Sequence, residues 1–199
     1  RPTRERMFLV PKSICVYSSS SDRLDDRYFA AARELGRLMA QRGHTLVFGG
    51  GNIGLMNAMA VAAQESGGRV VGVIPVALRE RKWCLESCDE LIVTDGMRDR
   101  KAIMEERAEA FIALPGGFGT LEELLEIITL KQLRYHAKAI VIFDVDGYYD
   151  PLLQQFERMY AEGFARRKFA ELYHVASGAA EALDYIEQYG PPTDLPPKA

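Results

Sequence analysis

Little in this sequence points outside a cell or into a membrane. Cysteine is scarce: Cys15, Cys84 and Cys88 form an odd set of three in 199 residues, too sparse for a disulfide framework and not spaced like the paired ligands of a zinc site. A reducing, cytoplasmic setting fits that usage. No charge of one sign dominates, because 25 Lys and Arg stand against 28 Asp and Glu for a net charge of -3, which offers no chain-wide attraction to nucleic acid or anionic lipid. Any anion site must therefore be local. Long hydrophobic runs are missing too. The 43–64 stretch carries no formal charge, yet its glycines, Asn52, Asn57 and Gln64 would be costly in lipid. The run Met7 to Val10 is too short for a signal-peptide core.

What is present is an ordinary globular composition, 48% apolar and 27% charged, in a length that suits one domain. Short β-rich apolar runs alternate with longer helical patterns, the mark of βαβ units and a mostly parallel sheet. Strands are expected near Ser13 to Tyr17, Thr45 to Phe48, Val70 to Ile74, Leu91 to Thr94, Phe111 to Leu114 and Ala139 to Phe143, with His174 to Ala176 as an edge. Helices fill the intervals: Asp25 to Gln41, Ile53 to Glu65, Met97 to Glu109, Thr120 to Leu133, Pro151 to Glu162 and Gly178 to Tyr189. Asp150 reads as an N-cap before Pro151, and Gly43 as a left-handed C-cap. Residues 1–12 read as an arm or expression remnant, 13–189 as a single α/β domain, and 190–199, with four prolines, as an exposed tail.

The most informative segment is Leu114-Pro115-Gly116-Gly117-Phe118-Gly119-Thr120-Leu121-Glu122-Glu123. A buried strand ends in a glycine-rich turn and opens into a helix, which is phosphate-binding architecture: glycines admit an anion close to the backbone, and the helix start supplies unpaired N–H donors. The same Thr120-x-x-Glu123 also spells a capping box. Leu121, Leu124, Leu125 and Ile128 form one apolar stripe, with Glu123, Ile127 and Leu130 on the far side, so the helix is expected to bury two faces, the second against a partner subunit with Glu123 at its rim. Glu122 and Glu123, in the expected first turn, would repel a phosphate there, which calls for a nearby cation. Met97-Arg98-Asp99-Arg100-Lys101 opens the preceding helix and supplies it, with Arg100 on the inward side. In a parallel sheet both loops emerge at the carboxyl edge, where open α/β sheets bind ligands.

Gly49-Gly50-Gly51-Asn52-Ile53-Gly54 satisfies G-x-G-x-x-G between a strand and a helix. A dinucleotide site also wants an acid ending the next strand, but that strand ends Val73-Ile74-Pro75, which argues against NAD. The segment instead brings a second glycine-rich loop to the same edge. Ser18 to Ser21 line a third with hydroxyls, or form a plain serine turn.

Together, Gly49-Gly50-Gly51-x-x-Gly54-Leu55-Met56, Arg100-Lys101 and Pro115-Gly116-Gly117-x-Gly119-Thr120-x-x-Glu123 resemble the Lonely Guy family of cytokinin riboside 5'-monophosphate phosphoribohydrolases, from about Ser13 to the last helix and including Val145-Asp146-Gly147-Tyr148-Tyr149. The resemblance implies a Rossmann-like, doubly wound sheet with helices on both faces, a homodimer, and hydrolysis of the N-glycosidic bond of an adenine nucleoside monophosphate without a cofactor. By position it makes Arg100 and Glu123 catalytic. It makes Lys101, Gly116, Gly117, Phe118, Gly119, Thr120 and Thr129 substrate-binding, and Gly50, Gly51 and Ser19 join them as loop residues of the same edge. The ligand-contacting glutamate of the family falls on Lys82, or on Glu80 if the 79–90 loop shifts. Non-catalytic molybdenum-cofactor carriers share the fold and stand as the alternative; joint presence of Arg100 and Glu123 favours the enzyme. A lysine decarboxylase label finds no supporting motif. His44, His136 and His174, Cys84-x-x-x-Cys88 and Asp144-x-Asp146-Gly147 read as structural or surface features, not as a metal site.

Overall fold

Seven strands form one sheet in the order β4-β3-β2-β1-β5-β6-β7, and every pairing is parallel. This is the architecture of a computed structural model that describes residues 10–191. The expected arm over 1–9 and the tail over 192–199 lie outside the described residues. The strands are β1 (Ser13–Tyr17), β2 (Thr45–Phe48), β3 (Val70–Pro75), β4 (Glu90–Thr94), β5 (Ala110–Ala113), β6 (Ala139–Phe143) and β7 (His174–Ala176). The helices are α1 (Asp26–Gln41), α2 (Gly54–Glu65), α3 (Val76–Glu80), α4 (Met97–Arg107), α5 (Phe118–Gln132), α6 (Asp150–Ala161) and α7 (Ala179–Gln188).

The inner strands read as apolar runs because both faces of the sheet are covered there, whereas edge strand β4 begins with Glu90 and leaves Val93 exposed. Along β1, Ile14 and Val16 enter a core shared with α1, α2 and α7, while Cys15 and Tyr17 enter the opposite core with α4, α5 and α6. This is the doubly wound arrangement expected. Strand order reverses between β1 and β5, so the chain leaving β1 turns to α1 on one face and the chain leaving β5 to α5 on the other, which leaves the crevice characteristic of such sheets.

Helix ends follow local chemistry. Asp25 caps α1 by accepting from the Arg27 amide at 3.1 Å. At the other end the Gly43 amide bonds to Ala40 O and the His44 amide to Met39 O, with Gly43 at φ 77°, which is the expected left-handed stop.

Some expectations need correction. Asp150 is the first residue of α6 rather than its cap; Tyr149 occupies the cap position without a side-chain bond. The short α3 and the 3-10 segment Arg167–Leu172 carry too few residues to show a period. Most consequential is α5, which begins at Phe118 and not at Thr120. No capping box forms: Gly117 is the cap position, and among the described residues no side chain caps the helix. Glu122 and Glu123 consequently fall beyond its first turn. The buried side of α5 is Thr120, Leu124, Ile127 and Lys131, so Ile127 belongs to the core, whereas Leu125, expected in the core stripe, is 42% exposed.

Candidate active site

A cleft of about 550 Å³ opens at the carboxyl ends of β1, β2 and β5, within the size range of small-molecule sites. Its floor is Val16 to Ser21, one wall carries Gly49 and Arg100, and the other is the start of α5 from Gly117 to Glu123. The crevice predicted by the strand reversal is therefore where the sequence motifs meet.

α4 follows the edge strand β4, and its first turn sends Arg100 back across the ends of β3 and β2. The Arg100 side chain is 10% exposed, and so buried a charge needs partners. Nε donates to Val73 O at 3.0 Å and Nη2 to Gly49 O at 2.9 Å. The remaining nitrogen, Nη1, faces Glu123 Oε1 at 3.9 Å. Backbone carbonyls thus fix the guanidinium, leaving one corner toward the carboxylate.

Glu123 reaches the cleft from the second turn of α5, with its side chain 12% exposed. Burial pushes its carboxyl up to about 7; Arg100 opposes that shift and Glu122 adds to it. Such a group exchanges protons near neutral pH. Beneath it, Tyr17 stacks on Phe111, and burial holds its phenol well above the ordinary range. The buried Ser18 hydroxyl, in the same floor, has no hydrogen-bond partner among the described residues.

Between β5 and α5 the chain offers a row of donors. The amides of Gly116, Gly117, Phe118, Gly119 and Thr120 find no acceptor among the described residues. This is the unsatisfied N-terminus of a helix extended backward by a glycine turn, which favours an anion. Gly116 must lack a side chain here, since a Cβ would stand 2.1 Å from Thr120 Oγ1.

Arg100, Glu123, Ser19, Gly117, Phe118, Gly119 and Thr120 all line the cleft, whereas Gly116, next to Gly117 in the chain, does not. Four other residues are placed elsewhere. Lys101 is bonded to Glu122 and, at 2.9 Å, to Glu126. Gly50 and Gly51 support the 84–85 segment through a bond from the Leu85 amide and a bridge to Cys84. Thr129 is exposed and donates to Leu125 O at 2.7 Å. Sequence reasoning overlooked Gly49, whose role as the seat of Arg100 is hidden among three adjacent glycines. Among the described residues, no group of three His, Cys, Asp or Glu is placed to hold a metal ion.

A parallel sheet with a reversal-point cleft, an anion cradle and a buried acid–guanidinium pair defines a Rossmann-like nucleotide-binding protein with hydrolytic potential. Comparison with known proteins narrows this. The chain is 43% identical over 180 residues to the Oryza sativa subsp. japonica protein named "Cytokinin riboside 5'-monophosphate phosphoribohydrolase LOG", covering 90% of this chain and 74% of that one. It is 40% identical over 183 residues to the Arabidopsis thaliana protein of that name, LOG2, covering 92% and 86%. A family profile described as "Possible lysine decarboxylase" matches residues 56–186. The chain belongs to the cytokinin riboside 5'-monophosphate phosphoribohydrolase family.

Solved structures agree on the fold. The molybdenum cofactor carrier protein of Chlamydomonas reinhardtii superposes with a TM-score of 0.69 at 24% identity, over 90% of this chain and 98% of that one. The molybdenum cofactor binding protein of Rippkaea orientalis gives 0.68 at 22%, over 89% and 97%. The decarboxylase description would require pyridoxal phosphate held on a lysine. The cleft does not fit it, because among the described residues no lysine lines the cleft: Lys101 is tied to α5 carboxylates, and Lys131 is buried against Leu172 O.

Proposed function

We propose that this protein hydrolyses the N-glycosidic bond of adenine-type nucleoside 5'-monophosphates, cytokinin riboside 5'-monophosphates or AMP, to the free base and ribose 5-phosphate. The observation that carries the reading is the Arg100–Glu123 pair at 3.9 Å in one cleft with the amides from Gly117 to Thr120, which find no acceptor among the described residues.

In this reading the amides of Gly117 to Thr120 hold the 5'-phosphate, which places the ribose over Glu123. Breaking the bond from C1' to the base nitrogen builds positive charge on the sugar ring, and a carboxylate beside it stabilises that charge. Ionised Glu123 also takes a proton from the attacking water, whose oxygen joins C1'; the departing base nitrogen takes up a proton from solvent, and Glu123 returns its own to solvent, so that one water is consumed. Arg100 keeps enough of Glu123 ionised near neutral pH to do this. Phe118, 93% exposed at the cleft mouth, offers an aromatic face to the base.

A homodimer belongs to the same reading. Phe118 and Leu125 of α5 and Leu133, its C-cap, line one exposed side at helical spacing, 93%, 42% and 47% exposed. A second copy would cover this side. Thr129 lies on it, so a contact from Thr129 to a ligand would be made across that interface. Free thiols at Cys15, Cys84 and Cys88 support a cytoplasmic setting. Among the described residues, no helix is long and apolar enough to cross a membrane.

The test is a release assay with purified protein and no added cofactor, comparing AMP with its N6-prenylated form. Free base and ribose 5-phosphate in equal amounts from at least one are expected. Release from neither would refute the reading.

A further inference from the structure

The segment Val145-Asp146-Gly147-Tyr148-Tyr149 lies outside the cleft, yet its two phenols reach the strand end from which the cradle is built. Tyr148 Oη donates to Gly116 O at 2.5 Å, and Tyr149 Oη donates to Leu114 O at 2.6 Å. Between them, the Ser19 amide donates to Pro115 O at 3.3 Å. Three consecutive carbonyls are therefore held by outside donors. The tyrosines are placed by a tight turn: Asp146 and Gly147 adopt φ of 51° and 77°, and Asp144 Oδ1 accepts from the Tyr149 amide at 2.7 Å. The Tyr148 ring packs edge-on against Tyr28 and Tyr149.

Peptide geometry turns these bonds into a directional device. Across a trans peptide the carbonyl and the following N–H point in opposite directions. Holding Gly116 O toward Tyr148, which does not line the cleft, turns the Gly117 amide the other way, toward the cleft that Gly117 does line. A glycine pair has no side chains to fix this peptide, and it rotates easily without an external tie.

We infer that Tyr148 is a positioning residue of the anion cradle: its hydroxyl fixes the Gly116–Gly117 peptide so that the Gly117 amide faces the phosphate. The inference rests on the phosphate reading given above. Tyr149 supplies an internal control. The peptide that it fixes, Leu114–Pro115, has no N–H to present, so the Tyr149 bond contributes stability without adding a donor.

The experiment measures inorganic phosphate binding by calorimetry and thermal stability for the wild-type protein, Tyr148→Phe and Tyr149→Phe. Each variant removes one hydroxyl and keeps its ring. Tyr148→Phe is expected to weaken phosphate binding about tenfold with little change in Tm, and Tyr149→Phe to lower Tm with phosphate binding nearly unchanged. The KM for nucleoside monophosphate should rise in Tyr148→Phe more than kcat falls. Wild-type phosphate affinity in Tyr148→Phe, or phosphate losses in both variants that track lost stability, would overturn the inference while leaving the cradle intact. Failure of the wild-type protein itself to bind phosphate would overturn the cradle reading and this inference with it.

Discussion

A Cβ placed on Gly49 would stand 1.7 Å from Nη2 of Arg100, the same nitrogen that donates to Gly49 O at 2.9 Å. The guanidinium occupies the space that a side chain at residue 49 would fill. Gly49→Ala should therefore expel Arg100 from its seat without removing any group that touches substrate. A loss of about a hundredfold in kcat/KM is expected, the scale of an ångström-level misplacement of a catalytic group. Steady-state kinetics checks it, and a variant as active as wild type would contradict the account of Arg100.

The carboxyl of Glu123 sits at about 7 because it is buried, and it must be ionised to accept a proton. Activity should accordingly fall about tenfold per pH unit below 7. Displacing Arg100 through Gly49→Ala removes the charge that opposes the shift, so this limb should move to higher pH in that variant. A pH profile of kcat/KM for both proteins tests the coupling.

The same burial has a thermodynamic signature. The folded value lies above the ordinary carboxyl value of 4.5, so the associated stability is present below pH 4.5 and is lost as pH rises through 7. Glu123→Gln, which mimics the protonated form, should match wild type at pH 4 and exceed it by roughly 3 kcal/mol at pH 8. Urea denaturation at the two pH values measures the difference.

Lys131 lies 1% exposed, donates to Leu172 O at 2.8 Å and stands over the Tyr189 ring; burial lowers its ammonium to about 8. Because the folded value is depressed below 10.5, stability should rise with pH between 8 and 10.5. Lys131→Met should stabilise the protein by about 1 kcal/mol at pH 7, with the gain shrinking across that window. Thermal melts from pH 7 to 10.5 provide the check.

The sheet was legible because a strand covered on both faces must be apolar throughout: Ser13–Tyr17 and Ala139–Phe143 announce themselves by composition. The rotation of α5 was not. Apolar residues at 121, 124, 125, 127, 128 and 130 nearly encircle that helix, so periodicity alone could not decide that Ile127 faces the core and Leu125 the solvent. Its start was hidden as well, because Thr120-x-x-Glu123 mimics a capping box although Gly117 already serves as the cap. The meeting of Arg100 with Glu123 followed correctly from the parallel order, which carries loops after β4 and β5 to one edge. The seat at Gly49 was invisible, since it depends on a contact across 51 residues.

If a second copy covers the outer side of α5, a charge at Leu125, 42% exposed in the single chain, should break the contact. Leu125→Glu should sediment as a monomer at micromolar concentration while the wild-type protein sediments as a dimer. A monomeric wild-type protein would contradict the proposed interface.

The central claim is that Glu123 performs the chemistry and does not merely hold the ligand. Glu123→Gln keeps the shape of the side chain and removes its charge and its capacity to accept a proton. The most direct measurement follows base release and nucleotide binding side by side in this variant, with AMP and its prenylated form. Turnover at least about a thousandfold below wild type with nucleotide affinity retained is predicted. Wild-type turnover in Glu123→Gln would contradict the account.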